Sequence, residues 1–324
     1  MVMEKFLIGV DVGGTNARMG IVSLDGKVSE KIQYSIDVSK KGSALMEELI
    51  ANLKDLIEKG PKESKGLMGI GMGIAGAIDM KRGIIRESPN IKDLKGFVIR
   101  DFFRERISYP VTIENDANAF VLGEGWTGAA RGCKHYCGIT LGTGVGGGIV
   151  IEGRILHGTE GMGGEVGHMV INPEGPPCGC GGKGCLEVYA SGSGIKRMAL
   201  EAIETGEGCG ILRWVGGDLQ NVSSEKVFEA AHFGDLGAQR VFHEMGRCLG
   251  LGLINLIHLF NPERIVIGGK VSQAWEYFIG GAMETIHERA MEGPRKRVQI
   301  VKAECGDEAG MIGAAYAALH NKSQ

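Results

Sequence analysis

The chain has 324 residues, of which 55 are glycine, about one in six against a usual ~7%, and the absence of a three-residue glycine period excludes a collagen-like fibre. Charged residues at 23% and hydrophobic residues at 43% are those of a globular rather than a disordered protein. A formal charge of −3 leaves no basic footprint for nucleic acid, and the longest uncharged apolar stretch, 248–260, falls short of the roughly 18–20 residues of a bilayer span. The first residues run into Asp11 without a small-residue cleavage site, so no secretory signal is expected. The length predicts about two domains.

In chain order, residues 6–28 read as a strand (FLIGVDV), a glycine break (GGT), a second strand (ARMGIVS) and a hairpin turn at Asp25-Gly26. Leu45, Met46, Leu49, Ile50, Leu53, Leu56 and Ile57 recur at spacings of three and four, which predicts an amphipathic helix over 43–59. Ser43 is the expected N-cap and Gly60-Pro61 the expected stop. Residues 67–78 form a buried strand ending in small residues. Residues 111–120 start as a strand and turn at Asn115-Asp116 into a helix. The plan then repeats: 138–155 has the strand, glycine turn, strand and hairpin of 9–28. Gly14-Thr15 and Gly142-Thr143 are offset by 128 residues, as are Gly20-Ile21-Val22 and Gly148-Ile149-Val150. A long helix stopped by Asn261-Pro262 leads into the strand 263–270, and a small-residue helix from about Asp307 closes the chain. Alternating strands and helices predict an α/β fold.

Two glycine turns follow buried strands. Asp11-Val12-Gly13-Gly14-Thr15 can bring backbone N–H groups against an anion, with Thr15 adding a hydroxyl and Asp11 a carboxylate for hydrated Mg²⁺ on phosphates. Gly142-Thr143-Gly144 offers a second cradle. Neither is a P-loop, since no Gly-Lys-Ser/Thr follows, and the GVGGGI run at 144–149 opens onto a strand, unlike a Rossmann fingerprint. The mapped alternative for such turns is plain strand-to-turn geometry.

The eight cysteines are not those of a small secreted disulfide scaffold. Cys178, Cys180 and Cys185 crowd together downstream of His168, and three thiolates with one imidazole fit a closed tetrahedral zinc site in a reduced, cytosolic chain. Asp116 stands where a strand gives way to a helix and could accept a proton from a substrate hydroxyl; the alternative is that it only caps the helix. Glu165, His168 and Glu187 flank the cysteines and could form a hydroxyl-binding wall, with His168 using its second ring nitrogen toward a ligand.

Together, DVGGTNARMG (11–20), GMGIAGAID (71–79), IENDANAF (113–120), LGTGVGGGIVIEGRILHG (141–158), GGEVGHMVINPEGPPCGCGGKGCLEVYASG (163–192), IVIGG (265–269) and GDEAGMIGAA (306–315) resemble the ROK family of sugar kinases and repressors. The resemblance implies a two-domain actin-like/hexokinase (ribonuclease H-like) ATPase fold with a cleft between lobes. It implies a smaller domain of 1–114 plus 306–324 and a larger one of 115–305 with the zinc loop. It also implies ATP-dependent phosphorylation of a hexose, with Asp116 as general base. Gly76, Asn115, Glu165, His168 and Glu187 match the sugar-binding positions, and His168, Cys178, Cys180 and Cys185 the zinc ligands. Asp11, Gly13, Gly14 and Thr15 match the first phosphate element, Gly142, Thr143 and Gly144 the second, and Gly268 and Gly269 the adenosine side. Asn16 stands where many members have lysine, and Lys270 where a third glycine is common.

The LE-x-YASG run resembles the glucokinase branch, so glucose is the expected substrate. N-acetylglucosamine, N-acetylmannosamine, mannose and fructose are the alternatives, and polyphosphate or ADP the alternative donors. A homodimer in the cytoplasm is expected, with no nucleic-acid or membrane partner. The remote alternative is a repressor of the same family; the turn at residue 11 and the negative charge speak against its N-terminal helix-turn-helix.

Overall fold

The computed structural model describes residues 5–59, 66–88 and 91–320. Its strands are β1 (Phe6–Val12), β2 (Asn16–Ser23), β3 (Val28–Ser35), β4 (Leu67–Ile74), β5 (Ala77–Asp79), β6 (Ile84–Glu87), β7 (Val111–Asn115), β8 (Tyr136–Leu141), β9 (Val145–Ile151), β10 (Arg154–Ile155), β11 (Arg264–Gly268) and β12 (Gln299–Lys302). Its α-helices are α1 (Gly42–Lys59), α2 (Ile99–Arg104), α3 (Asp116–Trp126), α4 (Glu187–Ala190), α5 (Gly192–Glu204), α6 (Cys209–Trp214), α7 (Ser224–His232), α8 (Leu236–Phe260), α9 (Trp275–Arg289), α10 (Glu292–Arg295) and α11 (Ala309–His320).

The chain divides into two compact units. The described residues of 1–134, 148–164 and 303–324 make the first, and 135–147 with 165–302 the second. This cut differs from the expected division at 114/115. Helix α3 packs along α11, and α11 in turn packs on β4 and β1, so both helices fall with the first sheet.

The first sheet has the order β3-β2-β1-β4-β7, with β1–β2 and β2–β3 antiparallel and β1–β4 and β4–β7 parallel. The second has the order β10-β9-β8-β11-β12, and the chain passes from the second unit into the first along β9. Numbered within each repeat, both sheets read 3-2-1-4-5, so the duplication glimpsed in the 128-residue offsets is one of topology. On one face of the first sheet, the apolar stripe of α1 packs into a core with Ile8, Val10, Met19, Ile70, Met72 and Phe103. On the other, Leu7 and Val22 meet Ala315 and Ala318 of α11. The small residues of α11 allow this approach: a β-carbon on Gly71 would run into the Ala314 carbonyl.

Local signals were met unevenly. Helix α1 buries the predicted residues Leu45 to Leu56, but it begins at Gly42, so Ser43 is not its cap. The Asp93 carboxylate instead accepts the Gly42 N–H at 2.9 Å, from 51 residues away. The proposed stop at Gly60-Pro61 lies outside the described residues. The stretch 248–260 is the end of α8, whose Asp235 cap accepts the Ala238 N–H and whose chain leaves through Asn261 in a left-handed conformation (φ 43°). Among the described residues, no helix is long and apolar enough to cross a membrane.

Candidate active site and metal centre

In the first unit, β1 ends at Asp11 and Val12, and the turn 13–15 closes with the Gly13 N–H donating to the Asn16 carbonyl at 3.0 Å. Asp11 lies opposite Arg18 in the β1–β2 register, with the guanidinium 3.8 Å from its carboxylate, and Gly310 at the start of α11 abuts that carboxylate. Burial, then the negative charges of Asp116 and Asp307, push the Asp11 carboxyl from 3.8 to about 6, against the opposing pull of Arg18. A hard oxygen donor held among further carboxylates is the chemistry a hydrated Mg²⁺ accompanying ATP would relieve.

Strand β7 delivers the next group. Its last residue, Asn115, is the N-cap of α3: Asn115 Oδ1 accepts the Asn118 N–H at 3.0 Å, and Nδ2 donates to the Gly76 carbonyl at 3.0 Å. Asp116 is therefore the first helical residue, and Asn115 rather than Asp116 caps α3. Gly76 is held at φ 134°, and a β-carbon there would strike the Glu87 carbonyl, so only glycine suits the position. Both Asn115 hydrogen bonds are internal, so a sugar would have to use its remaining acceptor and donor capacity.

Beneath this turn lies a group that sequence reasoning missed. Glu114, 2% exposed, accepts the Asn115 N–H at 2.9 Å and Asn118 Nδ2 at 3.0 Å, and its other oxygen meets His157 Nε2 at 2.7 Å. Glu124, buried on α3, likewise accepts the N–H groups of Ala129, Glu304 and Cys305 and ties the returning chain to the first unit. For Glu124 the available signal is a carboxylate in an otherwise apolar run; the distant partners, His157 of Glu114 and Glu304 of Glu124, lie 43 and 180 residues away and carry none.

In the second unit, β8 and β9 flank the turn 142–144. The Gly142 N–H donates to the Gly144 carbonyl at 2.9 Å, and the Gly142 carbonyl accepts the Gly192 N–H at 2.8 Å. Strand β11 runs parallel to β8 with Gly268 opposite Thr140, and Gly269 packs against the Leu141 carbonyl. The structure thus brings 142–144 and 268–269 together at one end of the sheet, whereas Asp11, Gly13, Gly14 and Thr15 belong to the first unit. Glu187, opening α4, accepts the Val145 N–H at 3.0 Å and lies against Gly144 where a side chain would stand.

Glu165 precedes a 3₁₀ turn over Val166–His168 and accepts the His168 N–H at 3.1 Å. Burial and the nearby Glu187 raise its carboxyl above the usual range, with His168 acting the other way. The cysteine loop folds back on itself through the Cys178 N–H to the Gly182 carbonyl. The ligand atoms of His168, Cys178, Cys180 and Cys185 then all lie within 4.8 Å of one another. Cys180 Sγ is 3.7 Å from Cys185 Sγ, and Cys178 Sγ is 3.7 Å from His168 Nδ1. Thiolates on a tetrahedral zinc, with bonds of about 2.3 Å, stand about 3.8 Å apart, so donor set and spacing fit that metal. His168 turns Nδ1 toward the cysteines, which leaves Nε2 for another partner. Cys178 Sγ also stands 3.9 Å from Glu187 Oε1, so the cluster adjoins one of the expected sugar-binding carboxylates.

The chain is similar to known proteins along nearly its whole length. The chain matches the ROK family over residues 7–321. It is 37% identical over 309 residues to a glucokinase of Thermotoga maritima, covering 95% of this chain and 96% of that protein. It is 40% identical over 318 residues to a glucokinase of Halalkalibacterium halodurans, covering 97% and 94%. Its fold superposes on the crystal structure of a ROK family glucokinase from Streptomyces griseus in complex with glucose and AMPPNP, with a TM-score of 0.81, 33% identity and coverage of 96% and 98%. With the repeated sheet order, this likeness makes the fold the α/β actin-like/hexokinase one. On sequence, fold and relatives alike, the chain belongs to the ROK family.

Proposed function

We propose that the chain transfers the γ-phosphoryl group of ATP to the 6-hydroxyl of a hexose, glucose before others, giving glucose 6-phosphate. The glucokinase relatives, similar across nearly the whole of both chains, support the reaction and the sugar. The observation that carries the residue assignment is the place of Asp116: first residue of α3, directly after the cap, at a turn fixed from both sides. A carboxylate so held can take the proton of a sugar hydroxyl as it attacks phosphorus.

On the first unit, Asn115 and the Gly76 segment would line the sugar, while Asp11, Gly13, Gly14 and Thr15 would meet the phosphates of Mg·ATP. On the second, Glu165, His168 and Glu187 would accept or donate to sugar hydroxyls, Gly142, Thr143 and Gly144 would cradle phosphate, and Gly268 and Gly269 would border the adenosine. Mg²⁺, bound with ATP, neutralises charge spreading over the transferred group. A zinc held by His168, Cys178, Cys180 and Cys185 supplies shape: it fixes the loop carrying Glu187 and the orientation of the His168 ring. Three clustered thiols in the free form fit a reducing, cytoplasmic setting, and a homodimer is the assembly the family resemblance implies.

The test is Asp116→Asn. Turnover should fall by about two to four decades, the usual worth of a positioned base, with glucose affinity largely kept. Near-normal turnover would refute the assignment.

A further inference from the structure

We propose that His157 is a positioning residue for phosphoryl transfer: through the buried carboxylate of Glu114 it fixes the Asn115-Asp116 turn. The inference rests on the reading of Asp116 as the base.

A carboxylate taken out of water is tolerated only when its lone pairs are matched by donors. Glu114 has three. On Oε1 are the Asn115 N–H and Asn118 Nδ2, which stand on either side of Asp116 in the chain; on Oε2 is His157 Nε2 at 2.7 Å. Asn115 and Asn118 are further joined by the cap hydrogen bond, and Asn115 Nδ2 reaches the Gly76 carbonyl. The residue between them therefore takes its place from two neighbours that share one anion. Without His157, Glu114 Oε2 faces the interior unmatched. The carboxylate must then turn toward another donor, which loosens the Oε1 bonds that hold the turn.

His157 is not on an element of the core. It follows β10 at the head of the loop 156–164, where its carbonyl accepts the Gly163 N–H at 2.8 Å and closes the loop. Within that loop, Gly161 packs on the Ile78 carbonyl, two residues beyond Gly76. The ring is 32% exposed, so the residue is a polar strut at the rim rather than a packing anchor. The hydrogen bond to Glu114 also raises its affinity for a proton, in keeping with a charge-assisted pair. Every backbone segment this strut holds belongs to the sugar side of the proposed site.

The experiment compares His157→Leu, which removes the donor, with His157→Gln, which keeps one, and combines His157→Leu with Asp116→Asn. Steady-state kinetics are read with glucose and saturating Mg·ATP, alongside thermal midpoints. His157→Leu should lower kcat by about tenfold to a hundredfold, the scale on which a misplaced group costs rate, with the KM for ATP unchanged. His157→Gln should recover most of that loss. In the Asp116→Asn background the Leu change should cost nothing further, because the group being positioned is gone. Wild-type turnover in His157→Leu, equal loss in the Gln variant, or losses that multiply in the double variant would overturn the inference. If His157→Leu does not fold, Glu114→Gln replaces it with the same expected fall in kcat, and unchanged turnover there overturns the inference equally. Near-normal turnover in Asp116→Asn alone sinks the base assignment instead, whatever His157 does.

Discussion

Asp11 should make the ligand-free protein less stable as pH rises, and replacing it should reverse that. Its carboxylate is about four-fifths buried, and the Arg18 guanidinium beside it stands 3.8 Å away and also faces Asp307 at 3.4 Å. Burial first, and Asp116 and Asp307 next, raise its carboxyl from 3.8 to about 6. The native protein therefore holds this proton more tightly than the unfolded chain does. Below the unfolded value neither state loses it, and no penalty exists. Between about pH 4 and pH 6 the native state carries the extra proton, so stability falls as pH rises through that window, and above it the penalty is complete. A shift of about two units at ~1.4 kcal/mol each gives a penalty on the order of 3 kcal/mol. Asp11→Asn, which resembles the protonated acid, removes it; the pull of Arg18 is already contained in the net shift, so the variant should gain on the order of 3 kcal/mol at about pH 8. Urea unfolding of the ligand-free protein should show a higher midpoint for the variant at about pH 8, converging on wild type near about pH 4. The same variant should lose turnover, since the proposed reaction assigns this carboxylate to Mg·ATP. A variant no more stable than wild type at about pH 8, or an advantage that ignores pH, would refute this reasoning.

Gly144→Ala would place a methyl where the Glu187 carboxylate now lies, and that carboxylate is the tip of a flexible side chain. The thermal midpoint should move little while the KM for glucose rises about tenfold or more, the scale of one displaced charged hydrogen bond; an unchanged KM would contradict the role given to Glu187. Protein purified without chelator should carry about one zinc per chain by elemental analysis, and Cys178→Ser should lower that content together with glucose affinity. Zinc near zero in active protein would remove the metal from the account.

Much of the fold is legible because its signals are local. The three- and four-residue spacing of α1 and the apolar run of β1 each report a burial pattern that the structure repeats. The His168–cysteine cluster is legible for the same reason: three of its four residues lie within eight positions, in a loop too glycine-rich to have a core of its own. What fails to show in sequence is supplied from afar. Ser43 has the chemistry of a cap, yet Asp93 takes that part because the 3₁₀ turn at Lys92–Leu94 brings it to the helix start. Helix α3 follows β7 without a break, and its packing, chiefly on α11 nearly two hundred residues later, joins it to the first unit. Glu114 sits in plain view beside Asn115, but its importance lies in His157 and Asn118, and hydrophobic periodicity cannot register a polar pairing across 43 residues.

Phosphoryl transfer to glucose is most directly tested by ADP release from Mg·ATP across a panel of glucose, N-acetylglucosamine, N-acetylmannosamine, mannose and fructose. Glucose should give the highest kcat/KM, and no glucose-dependent ADP release, or no preference for glucose over the other sugars, would contradict that function.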